Sequence, residues 1–172
     1  MSGKGYSGGG LHRIVTAPPL LADEMVGRLA RYLRFVGCDV TYVRGLSDDD
    51  VVRLARNEHR VILTRDRRLA EVAERSVLIS SPNIAQQWRA VRAALPELPT
   101  EVRFDRCTAC NGQLARVAVP EPAGGPESVP WDRVAAGLPL YRCTACAHLY
   151  WEGTHTESIR ARIAEWSREG PP

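Results

Sequence analysis

A chain of 172 residues can bury a sizeable core, either as one domain or as one domain with a small module attached. Its 44% hydrophobic and 25% charged residues are ordinary for a soluble globular protein, and no apolar run approaches the roughly 18–20 residues needed to cross a bilayer. The net charge of +3 excludes a uniformly basic protein, although Lys4 is the only lysine among 23 basic residues. Arginine suits phosphate contacts and stacking on bases, but a GC-rich genome produces the same bias, and composition alone favours the genomic explanation.

Residues 1–19 read as a flexible leader. MSGKGYSGGG lacks the apolar stretch of a secretory signal, which makes the cytoplasm the default compartment, and Ala17-Pro18-Pro19 opposes regular structure. From residue 20 to 99 strand and helix signals alternate. Leu20–Ala22 is a short apolar strand ending at Asp23. A helix follows from about Glu24 to Val36, with Met25, Leu29, Tyr32, Leu33 and Val36 on one face, Asp23 at its N-cap and Gly37 as its stop. Val40–Val43 is a second strand. Ser47 and Asp50 form a capping box for a helix through about Asn57. Val61–Thr64 is a third strand ending at Asp66, Arg67–Arg75 a helix, and Val77–Ser80 a fourth strand. Asn83 and Gln86 open a last helix that Pro96 limits. Strands separated by helices of this length predict an α/β domain, a parallel sheet covered by helices on both faces.

After Pro99 the composition changes. Residues 100–157 read as a small β-rich unit holding two CTAC pairs, interrupted by the Pro/Gly-rich loop 119–130. Ile159, Ile163 and Trp166 then repeat at helical spacing in the tail 158–172. Cys107, Cys110, Cys143 and Cys146 supply four thiolates, the number and type for a closed tetrahedral Zn²⁺ site. Residues 111–142 separate the pairs, more than the roughly 15–20 common in zinc ribbons, and the loop accounts for the excess. Four thiolates leave no open coordination position, so the zinc is structural. A redox CxxC pair is the weaker alternative. Cys38 stands alone and reads as a core residue.

Asp23 and Asp66 each follow a predicted parallel strand, the edge where such sheets bind ligands. Asp48, Asp49 and Asp50 begin the intervening helix near the same edge. Gathered carboxylates repel one another unless a cation neutralises them, and an oxygen-only set suits Mg²⁺ or Mn²⁺. Taken singly, each acid is more often a helix cap than a ligand. Arg28, Arg31 and Arg34 on the first helix, with Arg65, Arg67 and Arg68 around Asp66, surround the acids as a nuclease holding a polyanion would require. An arginine run is otherwise a solvated face. Tyr150, Trp151 and His155 after the last knuckle either stack on bases or pack locally.

LADEMVGRLARYLRFVGCDV, SDDDVVRLA and RVILTRDRRLAE resemble the PIN-like domain of the Mut-seven C-terminal ribonuclease family, and RCTACNGQLARV and YRCTACAHLYWEGTH resemble the zinc ribbon behind it. The likeness spans residues 20–157. It implies a Rossmann-like PIN nuclease fold, RNA as substrate and Mg²⁺ or Mn²⁺ as catalytic cation. Carried onto this chain, the catalytic acids are Asp23, Asp48 and Asp66, with Asp50 as a further ligand, and Arg28, Arg31, Arg65 and Arg67 contact RNA. Many PIN nucleases place a fourth acid after the next strand, where this chain has LISSPN. The alternative is an RNA- or ribosome-binding module that kept the fold without turnover.

Overall fold

In a computed structural model, residues 17–117 and 126–168 are described. The expected leader up to residue 16 and most of the 119–130 loop lie outside them.

Four parallel strands, β1 (Leu20–Ala22), β2 (Val40–Tyr42), β3 (Val61–Thr64) and β4 (Ser76–Leu78), pair in the order β2-β1-β3-β4. Strands β1 and β3 are buried throughout, as parallel strands covered on both faces must be. Alternation sends Leu20, Ala22 and Leu63 into one core and Leu21 and Ile62 into another. The larger core lies under α1 (Gly27–Phe35) and α4 (Ile84–Ala94), and holds Leu29, Leu33, Trp88 and Val91. The smaller lies under α2 (Asp48–Asn57) and α3 (Arg67–Val72), and holds Val51, Ala55 and Leu69. Helix α1 leads to β2 on one side of β1, and α2 then carries the chain across to β3 on the other. The strand order therefore reverses between β1 and β3.

Boundaries differ from the sequence reading where caps compete with periodicity. The helix expected from Glu24 begins as a 3-10 turn, Glu24–Val26, because the Asp23 side chain takes the Met25 N–H at 2.8 Å and the Asp23 carbonyl takes the Val26 N–H at 3.2 Å. Gly37 ends α1 at φ +86, a left-handed conformation suited to glycine. Helix α3 stops at Val72, not Arg75, because Ala73 returns to extended backbone, and β4 accordingly starts at Ser76.

The C-terminal unit is an antiparallel sheet of β5 (Leu114–Arg116), β6 (Leu140–Cys143) and β7 (Leu149–Trp151). A short helix, α5 (Trp131–Ala135), lies in a stretch read from the sequence as β-like runs, and packs Val134 against Val129 and Leu140. Helix α6 (Thr154–Arg168) leaves this unit and returns to the larger core of the parallel-sheet domain, where Ile159, Ile163 and Trp166 are buried. Trp166 meets Tyr32 edge-on at 4.8 Å, and Trp88 Nε1 donates to Ser167 Oγ at 3.0 Å. We expect Trp166→Ala to lower stability by about 3–5 kcal/mol. Urea denaturation would show it as a lower midpoint; an unchanged midpoint would mean that α6 contributes nothing to the domain it covers.

Candidate active site and metal centre

The C-terminal ends of β1 and β3 meet at the reversal of strand order, the position where doubly wound sheets open a crevice. Asp23 follows β1 and is only 7% exposed. Its Oδ1 accepts the Met25 N–H, and its Oδ2 accepts a hydrogen bond from the Thr64 hydroxyl. Thr64 Oγ in turn accepts the Asp66 N–H at 2.9 Å. This fully buried threonine ties the backbone of one acid to the side chain of the other. Asp66 Oδ1 caps α3, taking N–H groups from Arg68 at 2.7 Å and Leu69 at 3.2 Å, while Oδ2 has no hydrogen-bond partner among the described residues.

Asp48 is the first residue of α2, and its carboxylate likewise has no hydrogen-bond partner among the described residues. Asp23, Asp48 and Asp66 line one cavity of about 100 Å³. Glu24 lines it too, with its Oε2 accepting the Gly45 N–H at 3.3 Å. The sequence reading passed over Glu24, whose adjacency to Asp23 was the only available signal. All three aspartates stand at the start of a helix or 3-10 turn, where unpaired N–H groups and the peptide dipoles favour negative charge. The three aspartate carboxylates do not all lie within 4.8 Å of one another.

Asp50 is not among the lining residues. It is bound to Ser47 and ion-paired with Arg53, and these two hold its carboxyl below the usual carboxylate range. Arg28 and Arg31 are exposed and line a groove of about 640 Å³ that shares Glu24 and Met25 with the acidic cavity. Arg65 and Arg67 line neither. Arg65 Nε is the one buried side-chain nitrogen or oxygen without a hydrogen-bond partner among the described residues.

The four cysteines occupy two matching knuckles. In each, the N–H after the second cysteine returns to the carbonyl of the first, Asn111 to Cys107 at 2.9 Å and Ala147 to Cys143 at 3.0 Å. Both turning residues have positive φ, +71 at Asn111 and +60 at Ala147. All four Sγ atoms lie within 4.8 Å of one another, with Cys107 to Cys146 at 3.6 Å and Cys110 to Cys143 at 3.5 Å. Tetrahedral zinc with Zn–S bonds of about 2.3 Å requires sulfur–sulfur edges of about 3.8 Å. The cluster therefore fits a structural metal such as zinc. Gly112 is enforced by this closeness: a Cβ there would stand 2.9 Å from both Cys143 Sγ and the Ala145 Cβ.

Burial pushes the Cys107 thiol up, but the Tyr150 hydroxyl at 3.0 Å and backbone N–H groups outweigh it and hold the thiol down to about 6. Thiolate character is what a zinc ligand needs. Burial dominates at Cys38 in the larger core, outweighing the nearby Arg103 charge, and pushes the thiol up to about 12, where it is inert.

Arg34, grouped by sequence with Arg28 and Arg31 on a solvated flank, is instead 5% exposed. Its guanidinium donates to the Val40 carbonyl at 2.7 and 3.0 Å and to the Thr108 and Ala109 carbonyls at 3.1 Å. It joins α1, the edge strand β2 and the first knuckle. Asn111 completes the joint, taking the Val40 N–H at 3.0 Å and donating to Asp39 at 2.7 Å. Arg34→Met would leave the buried Val40 and Thr108 carbonyls and the part-buried Ala109 carbonyl short of donors, and we expect a loss of about 2–4 kcal/mol. Thermal denaturation of the zinc-loaded chain measures it, and an unshifted transition would show that the knuckle docks without Arg34.

No curated protein and no solved structure matches the chain. The family described as the Mut7-C RNAse domain does, over residues 18–163, taking in the parallel sheet, both knuckles and the first two-thirds of α6. By that match, with its PIN-like sheet and its cysteine ribbon, the chain belongs to the Mut7-C RNAse domain family.

Proposed function

We propose that the protein is a ribonuclease that hydrolyses RNA phosphodiesters at the cavity between β1 and β3, using Mg²⁺ or Mn²⁺. The observation that carries this reading is the sharing of one cavity by Asp23, Asp48 and Asp66, contributed by three separate parts of the chain. The donor set supports it: the cavity lining offers carboxylates and neither cysteine nor histidine, which suits a hard cation. When bound, such an ion supplies a more acidic water and neutralises charge on the phosphate.

Asp23, Asp48 and Asp66 are the residues that would hold it. Thr64 acts on the same chemistry as a positioning residue, because its hydroxyl fixes the Asp23 carboxylate and the start of α3 together. In the reaction, water adds to phosphorus and the bond to one ester oxygen breaks. The proton given up by water passes to a carboxylate or to the departing oxygen. Arg28 and Arg31, beside the cavity, neutralise phosphates of the bound strand. Arg65 and Arg67 bracket Asp66 and extend the same positive field, and Asp50 is held by Ser47, the α2 cap, and by Arg53.

A second reading, an RNA-binding module without turnover, is favoured by the missing acid after β4, where Ser80, Ser81 and Asn83 stand. Glu24 at the cavity partly offsets that absence. Incubating the zinc-loaded chain with labelled single-stranded RNA, with Mn²⁺ or Mg²⁺ added or withheld, separates the two. Cleavage that needs the added ion supports the nuclease; binding with no cleavage under either ion supports the module.

A further inference from the structure

The arginine-lined groove does not end on α1. At its far side it shares Arg31 and Thr108 with a second cleft of about 440 Å³, cut between α1 and the zinc ribbon. The three hollows thus form one chain through common walls, Glu24 and Met25 at one junction and Arg31 and Thr108 at the other. Their chemistry changes along the way. The first is acidic. The middle groove carries Arg28 and Arg31 beside two exposed apolar side chains, Met25 at 50% and Tyr42 at 36% exposure. The ribbon cleft has no carboxylate in its lining, and instead presents Arg31, Arg133, His148 and His155 with Tyr150 and Trp151.

We propose that the ribbon cleft is a nucleobase-binding subsite for single-stranded RNA, reached by a strand that runs from the acidic cavity across α1. This rests on the ribonuclease reading for the direction of the strand, not for the binding itself. Cations spaced along the path match a polyanionic backbone, and half-buried aromatic rings in the last cleft match the flat faces of unpaired bases. A paired base turns its face to its neighbours in the helix, so a cleft of this kind selects single strands over duplex. The ribbon then has two roles: the metal holds its shape, and Arg34 from α1 and Asn111, bonded to β2, fix that shape against the parallel-sheet domain so that cleft and groove stay in register.

The test uses the full zinc-loaded chain carrying Asp66→Asn, without added Mg²⁺ or Mn²⁺, and measures binding of a labelled eight-nucleotide single strand and of a blunt RNA duplex by fluorescence anisotropy. We expect the single strand to bind at least ten-fold more tightly. On the same background, Trp151→Ala and His155→Ala should each weaken single-strand binding five-fold or more, and Arg133→Glu ten-fold or more. Trp151 is half-buried and contributes to the ribbon core, whereas His155 and Arg133 are exposed, so the latter two read the subsite without disturbing the fold, and zinc content checks all three. Unchanged single-strand affinity in His155→Ala and Arg133→Glu overturns the proposal, as does equal affinity for duplex. Cleavage by wild type with unaffected cleft variants would sink the subsite alone. Weakened cleft variants in a chain that never cleaves would sink the nuclease reading alone.

Discussion

Replacing Asp23 by asparagine is expected to reduce ion-dependent cleavage of single-stranded RNA by about 100-fold or more, with the fold retained. The reason for expecting both together lies in the local geometry. Asparagine keeps the shape of the side chain, its carbonyl can accept the Met25 N–H, and its amide can donate to the Thr64 hydroxyl. The start of the 3-10 turn therefore survives. What is lost is the negative charge at the edge of the cavity, and with it the strongest reason for a divalent ion to stay there. Asp66→Asn should behave alike, since Oδ1 caps α3 and only Oδ2 is free to face an ion. Asp49, exposed and outside the cavity lining, provides the control: Asp49→Asn should retain activity within about two-fold, as surface substitutions away from special features do. Initial rates on a labelled strand decide the matter, and undiminished cleavage by Asp23→Asn would remove this acid from the chemistry.

Loss of a thiolate should have a different signature. Cys143 is buried and sits at the end of β6, so Cys143→Ser is expected to lower zinc affinity by about 100-fold or more and to unfold the ribbon while the parallel sheet stays folded. The ribbon core consists of Val129, Val134 and Leu140 with a few partly buried neighbours, too small to stand without the metal. Metal analysis should give one zinc per chain for wild type. Circular dichroism after chelation should show loss of the ribbon strands only. A metal-free chain whose ribbon strands persist would refute the structural role.

Acid acts on the same centre. Within the cluster the Cys107 thiol is held down to about 6 while its neighbour Cys110 is pushed up to about 12, so Cys107 favours the folded chain above the ordinary thiol range and loses that contribution as pH falls through about 6, whereas Cys110 opposes it. Protons also compete with zinc for all four sulfurs, so zinc retention must fall in the same direction. Zinc release followed by a chromogenic chelator should therefore rise steadily on acidification.

Much of the architecture is written locally. The short runs expected at 20–22 and 61–64 are strands with those bounds, the one expected at 40–43 is a strand over Val40–Tyr42, and the helix starts at Ser47 and Asn83 are capped by those side chains. These features depend on residues a few positions apart, whose geometry a pattern can express. The two CTAC pairs are legible for the same reason, because each knuckle is a local turn and two knuckles complete one tetrahedron. The acidic residues were legible as candidates only. Asp50 and Asp48 are two positions apart on one helix, and their sequence does not say which one faces the β1–β3 crevice; the 100° turn per residue does, and it turns Asp48 toward the cavity and Asp50 toward Arg53.

Sequence by itself determined the alternation of strand and helix, the thiolate set and the acids that end β1 and β3, since each follows from short-range spacing and residue chemistry. Only the tertiary structure decided that Arg34 is a buried clasp and Arg31 an exposed wall, that α6 returns to cover Trp88, and that Glu24 joins the acidic cavity. The physical reason is common to all three. Helical spacing tells which residues share a face, but what that face meets depends on elements far along the chain, here the first knuckle, the returning helix and the loop after β2.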